Sequence, residues 1–563
     1  MTNDMLIHPG LWLIAGGLVM AFVHGRARQI LTLLVPAVAL WLVWQVGDGV
    51  FGHVRFLDYQ LQFVRGDRLA RIFATIFTLM TLVGGLFALG QRHRIEVPAA
   101  FVYAGSAVGA VFAGDLITLF LFWELMAVGS TLVIWAGGAG ARKASMRYLM
   151  VHLFGGVVLM AGITGHLAGG GDITFTAMKP DSLPHWLILI GFLVNAGAPP
   201  FSAWLPDAYP QASWSGTVFL SAFTTKTAVY VLLRGFPGAE VLVFVGLYMA
   251  IYGIVYAILE NDMRRILAYS IINQVGFMVT GIGIGTEMAL NGAAAHAFAH
   301  IIYKALLLMS AGSVFYQTGK TKCTDLGGLF QSMPLTTVCG TIGALAISAF
   351  PLTSGFVTKS MIAQAAADQH LMTVWLLLAA ASAGVFLHAG IKFPWFVFFQ
   401  KDSGLRPKDP PASMRWAMVI FSAFCIGLGV YPEPLYAILP YAVDYVPYTG
   451  SHVVSQLQLL LFSGLAFFLL LGYLKRTLTI TLDTDWFYRR AGLRIARALT
   501  TVVSGGLAAF YGGALAALTG LGQGIRRHYG PAGVLARTWL SGSMVLWVAI
   551  LLLMYLIVFY IPT

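Results

Sequence analysis

Ionisable side chains lie deep inside apolar stretches of this 563-residue sequence. Lys226 lies in SAFTTKTAVYVLL, Lys304 in AHIIYKALLLMSAG and Glu124 in LITLFLFWELMAVGSTLVIW. A charge at the centre of a bilayer costs about 2.5–3.5 kcal/mol on insertion scales, and such residues usually pair inside the protein or line an ion path. Together with His296 and His300, these side chains have the chemistry of a proton relay.

The segment HAFAHIIYK predicts that His296, His300 and Lys304 share one helical face, because they are spaced four residues apart. Two histidines at this spacing could also bind a metal ion. No Glu or Cys stands in the motif to complete such a site, and the lysine would repel a cation. A proton wire is therefore the favoured interpretation, and we predict no metal site.

Two further lysines are candidates for the exit of the relay. Lys359 lies in ALAISAFPLTSGFVTKSMI, where it is either buried or reaches an aqueous mouth. Lys392 shares a helical face with His388, although its side chain could instead extend toward a loop. Asp115 and Asp207 fall at helix ends, where helix capping or solvation would explain them.

The composition indicates a membrane protein, since 58% of the residues are hydrophobic and 10% are charged. Soluble domains carry about 25% charged residues, and a spanning helix needs about 20 apolar ones. The three cysteines lack metal-ligand or redox spacing, and the N-terminus lacks the basic flank of a signal peptide. The predicted spans are 8–24, 29–47, 69–90, 97–113, 116–136, 147–168, 184–204, 215–234, 240–259, 264–285, 289–316, 334–366, 371–399, 411–431, 453–474 and 536–561.

The net charge of +12 is distributed unevenly between the loops, which excludes nucleic acid as its explanation. The loops on one side of the predicted topology hold more basic residues than the loops on the opposite side. The positive-inside rule predicts that the richer side is cytoplasmic, which places the N-terminus outside the cell membrane. The excess charge also favours contact with anionic lipid. The basic residues on the predicted cytoplasmic side are Arg26, Arg28, Arg92, Arg94, Arg142, Lys143, Arg147, Arg264, Arg265, Lys320, Lys322, Lys401, Arg406, Lys408, Lys475 and Arg476.

Two predicted helices are interrupted by proline. The first break is at Pro199 and Pro200, and the second is at Pro351 and Gly355. Proline removes a backbone donor and frees carbonyls that need partners, and transporters often bind their substrates where matching helices of two repeats are broken. The sequence thus predicts a repeat over residues 97–234 and 240–399, although Gly and Pro could also serve helix packing alone.

Six motifs in order resemble the antiporter-like subunits of respiratory complex I and of Mrp-type Na+/H+ antiporters, over roughly residues 60–430. The motifs are FAGDLITLFLFWELM, FSAWLPDAYPQA, FTTKTAVYVLLR, ENDMRRILAYSIINQVGFM, HAFAHIIYKALLLMSAGSVF and AFPLTSGFVTKSMI. Within this superfamily the sequence is most similar to the Mrp antiporter D subunit. The resemblance implies an all-α polytopic membrane protein with about fourteen core helices, two inverted five-helix repeats and broken helices.

The resemblance also implies roles for individual residues. Glu124 matches the glutamate of the fifth family helix, and Lys226 matches the lysine of the eighth. The relay of the eleventh helix corresponds to His296, His300 and Lys304, while Lys359 matches the ionisable residue of the broken twelfth helix. Family members carry protons along such residues through intervening water.

This sequence departs from the family at one position. The family usually has a lysine in its seventh helix as the partner of the glutamate, and the sequence has Asn195 there. An amide cannot carry that charge. Our hypothesis is that His152, in the middle of YLMVHLFGGVVLM, replaces the missing cation.

The C-terminal part contains a Gly/Ala-rich stretch between two arginine clusters, which either spans the membrane over 497–521 or lies along its surface. It is similar to the lateral helix of the largest complex I antiporter-like subunit. The expected divisions are N-terminal helices 1–96, a first repeat 97–234, a second repeat 235–399, core helices 400–475, and a lateral helix with a last span in 476–563.

Three functions are compatible with these features. The favoured one is a proton-conducting, multi-pass cell (inner) membrane subunit of a multisubunit Na+/H+ antiporter, in which protons pass from Glu124 through Lys226 and His296 toward Lys359 or Lys392. The second is a proton-pumping subunit of a complex I-like dehydrogenase or membrane hydrogenase. The third is a non-conducting structural or anion-transport partner. No motif for a cofactor occurs in the sequence, so any redox chemistry would belong to partner subunits.

Overall fold

The computed structural model describes residues 7–473 and 483–561, and the chain divides into two compact units, Met1–Asp485 and Trp486–Thr563. The all-α class is confirmed, and each of the sixteen predicted spans overlaps a helix. Of the described helices, thirteen are long and apolar enough to cross a membrane, and four more apolar helices are shorter. Lys475 and Arg476, two of the basic residues predicted on the cytoplasmic side, lie outside the described residues.

The first elements form an N-terminal layer that contains a β-hairpin. They are α1 (Pro9–Phe22), α2 (Gly25–Gln45), β1 (Gly49–Phe56), β2 (Tyr59–Gly66) and α3 (Arg68–Phe87). The sequence had indicated only a loop between α2 and α3. The strands pair antiparallel around a tight turn at Leu57 and Asp58, with Val54 opposite Leu61.

The next elements are α4 (Glu96–Phe112), α5 (Leu116–Trp135), α6 (Ala139–Ala168) and α7 (Leu183–Ala196). Asp115 caps α5, as predicted, by accepting a hydrogen bond from the backbone of Thr118 at 2.7 Å. The same carboxylate accepts the backbone N–H of Gln62 at 2.6 Å and so attaches the hairpin to α5.

Three short helices follow, namely α8 (Trp204–Ala208), α9 (Gly216–Leu220) and α10 (Thr224–Gly235). The first predicted break is confirmed, because α7 ends at Gly197 in the left-handed conformation (φ 79°) and the two prolines follow. A break between α9 and α10 was not predicted. Asp207, in α8, is buried and accepts two hydrogen bonds from Arg147 of α6, at 2.7 and 2.8 Å, so it is not solvated.

The centre of the bundle is formed by α12 (Met263–Ile284) and α13 (Glu287–Thr318), which follow α11 (Val241–Leu259). The most apolar stretches of α12 and α13 are 100% and 94% buried, so lipid does not reach them. Glycines let α11 approach α12 closely, since a Cβ at Gly253 would lie 2.6 Å from the backbone nitrogen of Asn273.

The second predicted break is also confirmed and separates α14 (Pro334–Ile347) from α15 (Ser354–Asp368). Then α16 (Met372–Val385) continues into two π-helical segments, Phe386–Lys392 and Trp395–Phe399, a form that often marks functional positions. The first unit ends with α17 (Ala412–Val430), α18 (Glu433–Tyr436) and α19 (Gly450–Leu469).

The second unit consists mainly of two long helices, α20 (Gly492–Tyr529) and α21 (Ser541–Tyr560). Their apolar stretches have no buried residues within the chain. The predicted segment 497–521 lies inside α20, which is 38 residues long.

Candidate functional site

Glu124, His152 and Asn195 converge on one turn of α6. The Oε1 atom of Glu124 lies directly against Gly156, one turn beyond His152 on the same helix. Asn195 approaches the neighbouring Gly155, where a Cβ would lie 3.7 Å from its amide oxygen. The absence of side chains at these two glycines leaves room for both polar groups beside α6.

Polar atoms of these three residues have no hydrogen-bond partner among the described residues. They are Oε1 of Glu124, Nε2 of His152 and both side-chain amide atoms of Asn195. His152 donates from Nδ1 to the carbonyl of Tyr148 at 2.8 Å, stacks on the Tyr148 ring at 3.9 Å and contacts Trp204 edge-on at 4.6 Å. The ring of His152 therefore lies against Tyr148 and Trp204, and its second ring nitrogen keeps a lone pair that can take a proton.

Lys226 lies two residues beyond the start of α10 and is fully buried. Its ammonium group donates to the carbonyl of Ser221 at 2.7 Å and to the hydroxyl of Thr225 at 3.0 Å. The interruption before α10 thus supplies backbone oxygen for a lysine that has no carboxylate partner among the described residues.

A set of hydroxyl groups connects the surroundings of His152 to the start of α10. Tyr148 hydrogen-bonds to Thr224 at 3.2 Å and donates to Ser130 at 2.9 Å. Tyr103 hydrogen-bonds to the Thr224 side chain at 2.6 Å and accepts the Thr224 backbone N–H at 2.9 Å. The sequence analysis missed these residues because a neutral hydroxyl in an apolar run gives no charge signal.

The α13 residues form the second part of the site, in the buried centre. The rings of His296 and His300 lie 6.4 Å apart on successive turns, and Lys304 donates to Ser270 of α12 at 2.8 Å. Both ring nitrogens of His300 lack a partner among the described residues. Helix α10, which carries Lys226, packs against α13, so the two parts adjoin.

Gln274 and Thr358 complete the surroundings of His296 and were missed by the sequence analysis. Nε2 of His296 lies 3.1 Å from the Gln274 side-chain oxygen, which also accepts from Tyr303 at 3.0 Å. The other ring nitrogen of His296, Nδ1, lies 3.2 Å from the hydroxyl of Thr358. Since Thr358 directly precedes Lys359, this contact connects α13 to the segment after the second break.

Lys359 borders a cavity of about 230 Å³. Its ammonium group lies 4.3 Å from the centre of the Phe277 ring and has no hydrogen-bond partner among the described residues. The polar residues that line the cavity include Ser360, Gln364, Ser382, Tyr445, His452, Ser455 and Gln456. Of the two alternatives for Lys359, the structure shows a buried side chain, and the cavity that it borders has both polar and apolar lining residues.

Lys392 lies in the first π-helical segment and binds the C-terminal end of α11. Its ammonium group donates to the carbonyls of Ala257 at 3.2 Å, Glu260 at 2.6 Å and Ile258. His388, one turn earlier, is fully buried, and its Nδ1 atom lies 2.8 Å from the carbonyl oxygen of Gly384. Cations are favourable at helix C-termini, so this lysine has a capping role whether or not it conducts protons.

Glu96 is a second buried carboxylate, which the sequence analysis did not single out. Its Oε1 accepts hydrogen bonds from Gln91 at 3.0 Å, Ser213 at 2.7 Å and Ser215 at 2.5 Å. Arg264 binds the same segment through the carbonyls of Ala212 and Ser213. This cluster fixes the start of α4 to the loop before α9, and its residues are too far apart in the sequence to reveal it.

The fold and these buried groups define a multi-pass membrane protein of the antiporter-like type. Residues 113–386 match the model of the NADH:quinone oxidoreductase/Mrp antiporter transmembrane family. An uncharacterized protein of Mycobacterium tuberculosis is 30% identical over 73% of this chain and 73% of its own length. The chain belongs to this family, and the resemblance predicted from the six motifs is confirmed.

Other relatives agree with this placement. The D subunit of the Na(+)/H(+) antiporter of Alkalihalophilus pseudofirmus is 27% identical over 65% of this chain and 80% of its own length. The A/B subunit of a probable K(+)/H(+) antiporter of Rhizobium meliloti is 28% identical over 74% of this chain, which spans 46% of that relative.

Two solved complexes contain chains of the same fold. A chain of the Mrp complex from Dietzia sp. DQ12-45-1b aligns with a TM-score of 0.69 at 20% identity, over 78% of this chain and 96% of its own. A chain of the membrane-bound sulfane sulfur reductase, an archaeal respiratory membrane complex, aligns with a TM-score of 0.72 at 23% identity, over 98% of this chain and 100% of its own.

Proposed function

We propose that this chain is the proton-translocating membrane subunit of a multisubunit monovalent cation (Na+)/proton antiporter. One observation carries the proposal: buried ionisable and hydroxyl groups lie in the interior of the bundle between the half-buried Glu124 and the buried Lys359. The chain is a transporter subunit rather than an enzyme, and its partners are the other subunits of the complex.

The hydroxyl groups of Tyr148 and Thr224 extend from the His152 ring to the start of α10, the helix that carries Lys226. The proton then passes to His300 and Lys304, and from there to His296. Gln274 and Thr358 orient His296 by hydrogen bonds to its two ring nitrogens. Each transfer is driven by electrostatic coupling, because adjoining charges in a poorly screened interior cannot all be carried at once.

The cavity beside Lys359 supports an exit by this route. It brings polar side chains of α15, α16 and α19 to within reach of the lysine. Lys392, by contrast, is held by three backbone carbonyls at the end of α11. We assign proton exit to Lys359. Lys392 and His388, in the π-helical segment after α16, form a branch toward the predicted cytoplasmic side.

The test is proton flux in proteoliposomes that contain the purified complex. Lys226→Met and Lys304→Met keep the length of the side chain and remove the amine. We expect each to lower flux by at least about tenfold, since positioned acid–base groups contribute that much or more. Lys143→Met, on the exposed N-terminal part of α6, is the matched control and should transport normally.

Unchanged flux in a folded Lys226→Met complex would reject the relay and favour a structural or anion-transport role. The second candidate function is a proton-pumping subunit of a redox-driven complex. The subunits that co-purify with the chain distinguish it from the proposed function. Small antiporter subunits support the proposal, whereas iron–sulfur or flavin subunits support the redox-driven complex. The same preparation shows whether flux depends on Na+.

A further inference from the structure

Two histidines face each other where α6 ends and α7 begins, apart from the relay. His166 lies in the last turn of α6, and His185 lies in the first turn of α7. The Nδ1 atom of His166 and the Nε2 atom of His185 are 3.1 Å apart. Both side chains are half-buried, and the loop between the two helices passes beside them.

The other nitrogen of each ring has a partner that fixes the tautomer. Nε2 of His166 lies 3.1 Å from the carbonyl of Asp172, and Nδ1 of His185 lies 2.8 Å from the carbonyl of Lys179. The Asp181 carboxylate is a second acceptor for His185, at 3.0 Å. Carbonyl oxygens only accept, so both of these nitrogens carry the proton of a neutral imidazole.

When both rings are neutral, the two nitrogens that face each other both present lone pairs. A neutral imidazole has one N–H only, and each ring has used it. Two lone pairs at 3.1 Å repel unless a cation lies between them. Two imidazole ligands of one tetrahedral zinc ion, with Zn–N distances of about 2.0–2.1 Å, have their nitrogens about 3.3 Å apart, which is close to the observed separation.

The surroundings have the features of a metal site's outer shell. Histidine ligands usually donate their second N–H to a carbonyl or carboxylate, which orients the ring, and both rings do so here. The framework is firm, because a Cβ at Gly162 would lie 2.8 Å from the Pro184 carbonyl and one at Gly165 3.1 Å from the Pro184 ring. Gly171 leaves room for the His166 imidazole against the loop.

We propose that His166 and His185 together bind one divalent transition-metal cation of the zinc type, at the junction of α6 and α7. Imidazole suits such borderline cations. Within the described residues no group of three or more His, Cys, Asp or Glu side chains is placed to hold a metal. The proposed site therefore has two protein ligands, and water completes the shell on the open side.

The test uses the purified full-length protein in its complex, titrated with ZnCl2 in competition with a chromophoric chelator. We expect one saturable equivalent of Zn2+ per chain and a rise in thermal stability with zinc, since a ligand that binds only the folded state stabilises it. X-ray absorption at the zinc edge should show two imidazoles in the first shell. These readouts do not depend on transport, so they fail or succeed separately from the proposed function.

Variants separate the site from nonspecific binding. His166→Gln and His185→Gln should each abolish the saturable equivalent of zinc. The double variant should bind no less zinc than either single variant. Asp181→Ala, at an exposed position, should weaken binding by about 10–100-fold because it removes an outer-shell acceptor. His24→Gln and His53→Gln, at other exposed positions, are the controls and should bind zinc as the unaltered chain does.

Two results would overturn the proposal. One is a chain that takes up no saturable zinc, in which case a shared proton bridges the two rings. The other is zinc binding that survives His166→Gln in a folded complex.

Discussion

Glu124 contacts α6 at Gly156, one turn beyond His152 and next to the glycine that Asn195 of α7 approaches. Gly156 leaves room for the carboxylate of Glu124, and the neighbouring Gly155 leaves room for the amide of Asn195. Asn195 is fully buried and cannot carry a charge, whereas an imidazole can take up a proton and return it near neutral pH. We keep the hypothesis that His152 substitutes for the lysine that the family resemblance predicts at position 195.

His152→Phe tests this substitution, because phenylalanine keeps the aromatic contacts with Tyr148 and Trp204 but has no ring nitrogen. We expect proton transport to fall and its pH dependence to change. Adding Asn195→Lys to His152→Phe should restore transport, since it returns a cation to the neighbourhood of Glu124. Proton flux measured between about pH 5 and 8, the range in which an unperturbed imidazole titrates, checks both variants. A His152→Phe complex with the pH profile of the unaltered protein would show that His152 serves packing alone.

At the scale of elements, polar contacts between helices decide where helices stop. The break before α10 has no proline or glycine, and 215–234 was predicted as one uninterrupted span. The backbone N–H of Thr224 is taken by the hydroxyl of Tyr103, from α4. A donor used in this way is lost to the helix ladder, and the interruption supplies the carbonyl that holds Lys226.

Glu96 tests how strongly such contacts stabilise the bundle. Glu96→Ala leaves the donors of Gln91, Ser213 and Ser215 without their acceptor, and we expect the folded state to lose roughly 2–4 kcal/mol. Thermal unfolding in detergent measures the change as a lower Tm. Glu240→Ala removes an exposed carboxylate before α11 and is the matched control. Equal Tm values for the two variants would contradict a stabilising role for the cluster.

Asp483 shows how a residue near the end of the first unit is held. Its carboxylate accepts hydrogen bonds from Tyr252 of α11 at 2.6 Å and from Tyr269 of α12 at 2.5 Å. The sequence offered no reason to single out this aspartate. These bonds hold the end of the first unit against α11 and α12.

For the whole molecule, the distribution of arginine and lysine predicts which end of the bundle faces the cytoplasm. The hairpin and the α6–α7 loop share one end, because Arg65 donates to the carbonyl of Phe175 at 2.8 Å. The α1–α2 turn and the segment after α3 share the other, since Arg28 donates to the carbonyl of His93 at 3.2 Å. The positive-inside rule places the second pair in the cytoplasm.

Single cysteines test this topology after the three buried native cysteines have been replaced by alanine or serine. A membrane-impermeant maleimide added to intact cells should label His53→Cys, on the hairpin, and should not label His24→Cys, between α1 and α2. Both should react after the cells are opened, which controls for accessibility. Labelling of His24→Cys in intact cells would reverse the predicted orientation of the N-terminus.

Much of this protein could be predicted from its sequence because a bilayer permits few structures. Spanning helices must satisfy their own backbone and be about 20 residues long, so the sixteen spans and two proline breaks followed from apolar runs and from Pro199 and Pro351. Intramembrane charge is costly, and for the same reason Glu124, Lys226 and the α13 residues were identifiable one by one.

Only the tertiary structure decided how these residues connect. Tyr148, Thr224, Gln274 and Thr358 are neutral, so no periodicity or charge pattern distinguishes them from packing residues. The α9–α10 break depends on Tyr103 from a distant helix, and the facing nitrogens of His166 and His185 depend on carbonyls of the loop between them. Charge in hydrocarbon can be identified from local sequence, whereas a hydrogen bond is a pairwise property that exists only once two segments have packed together.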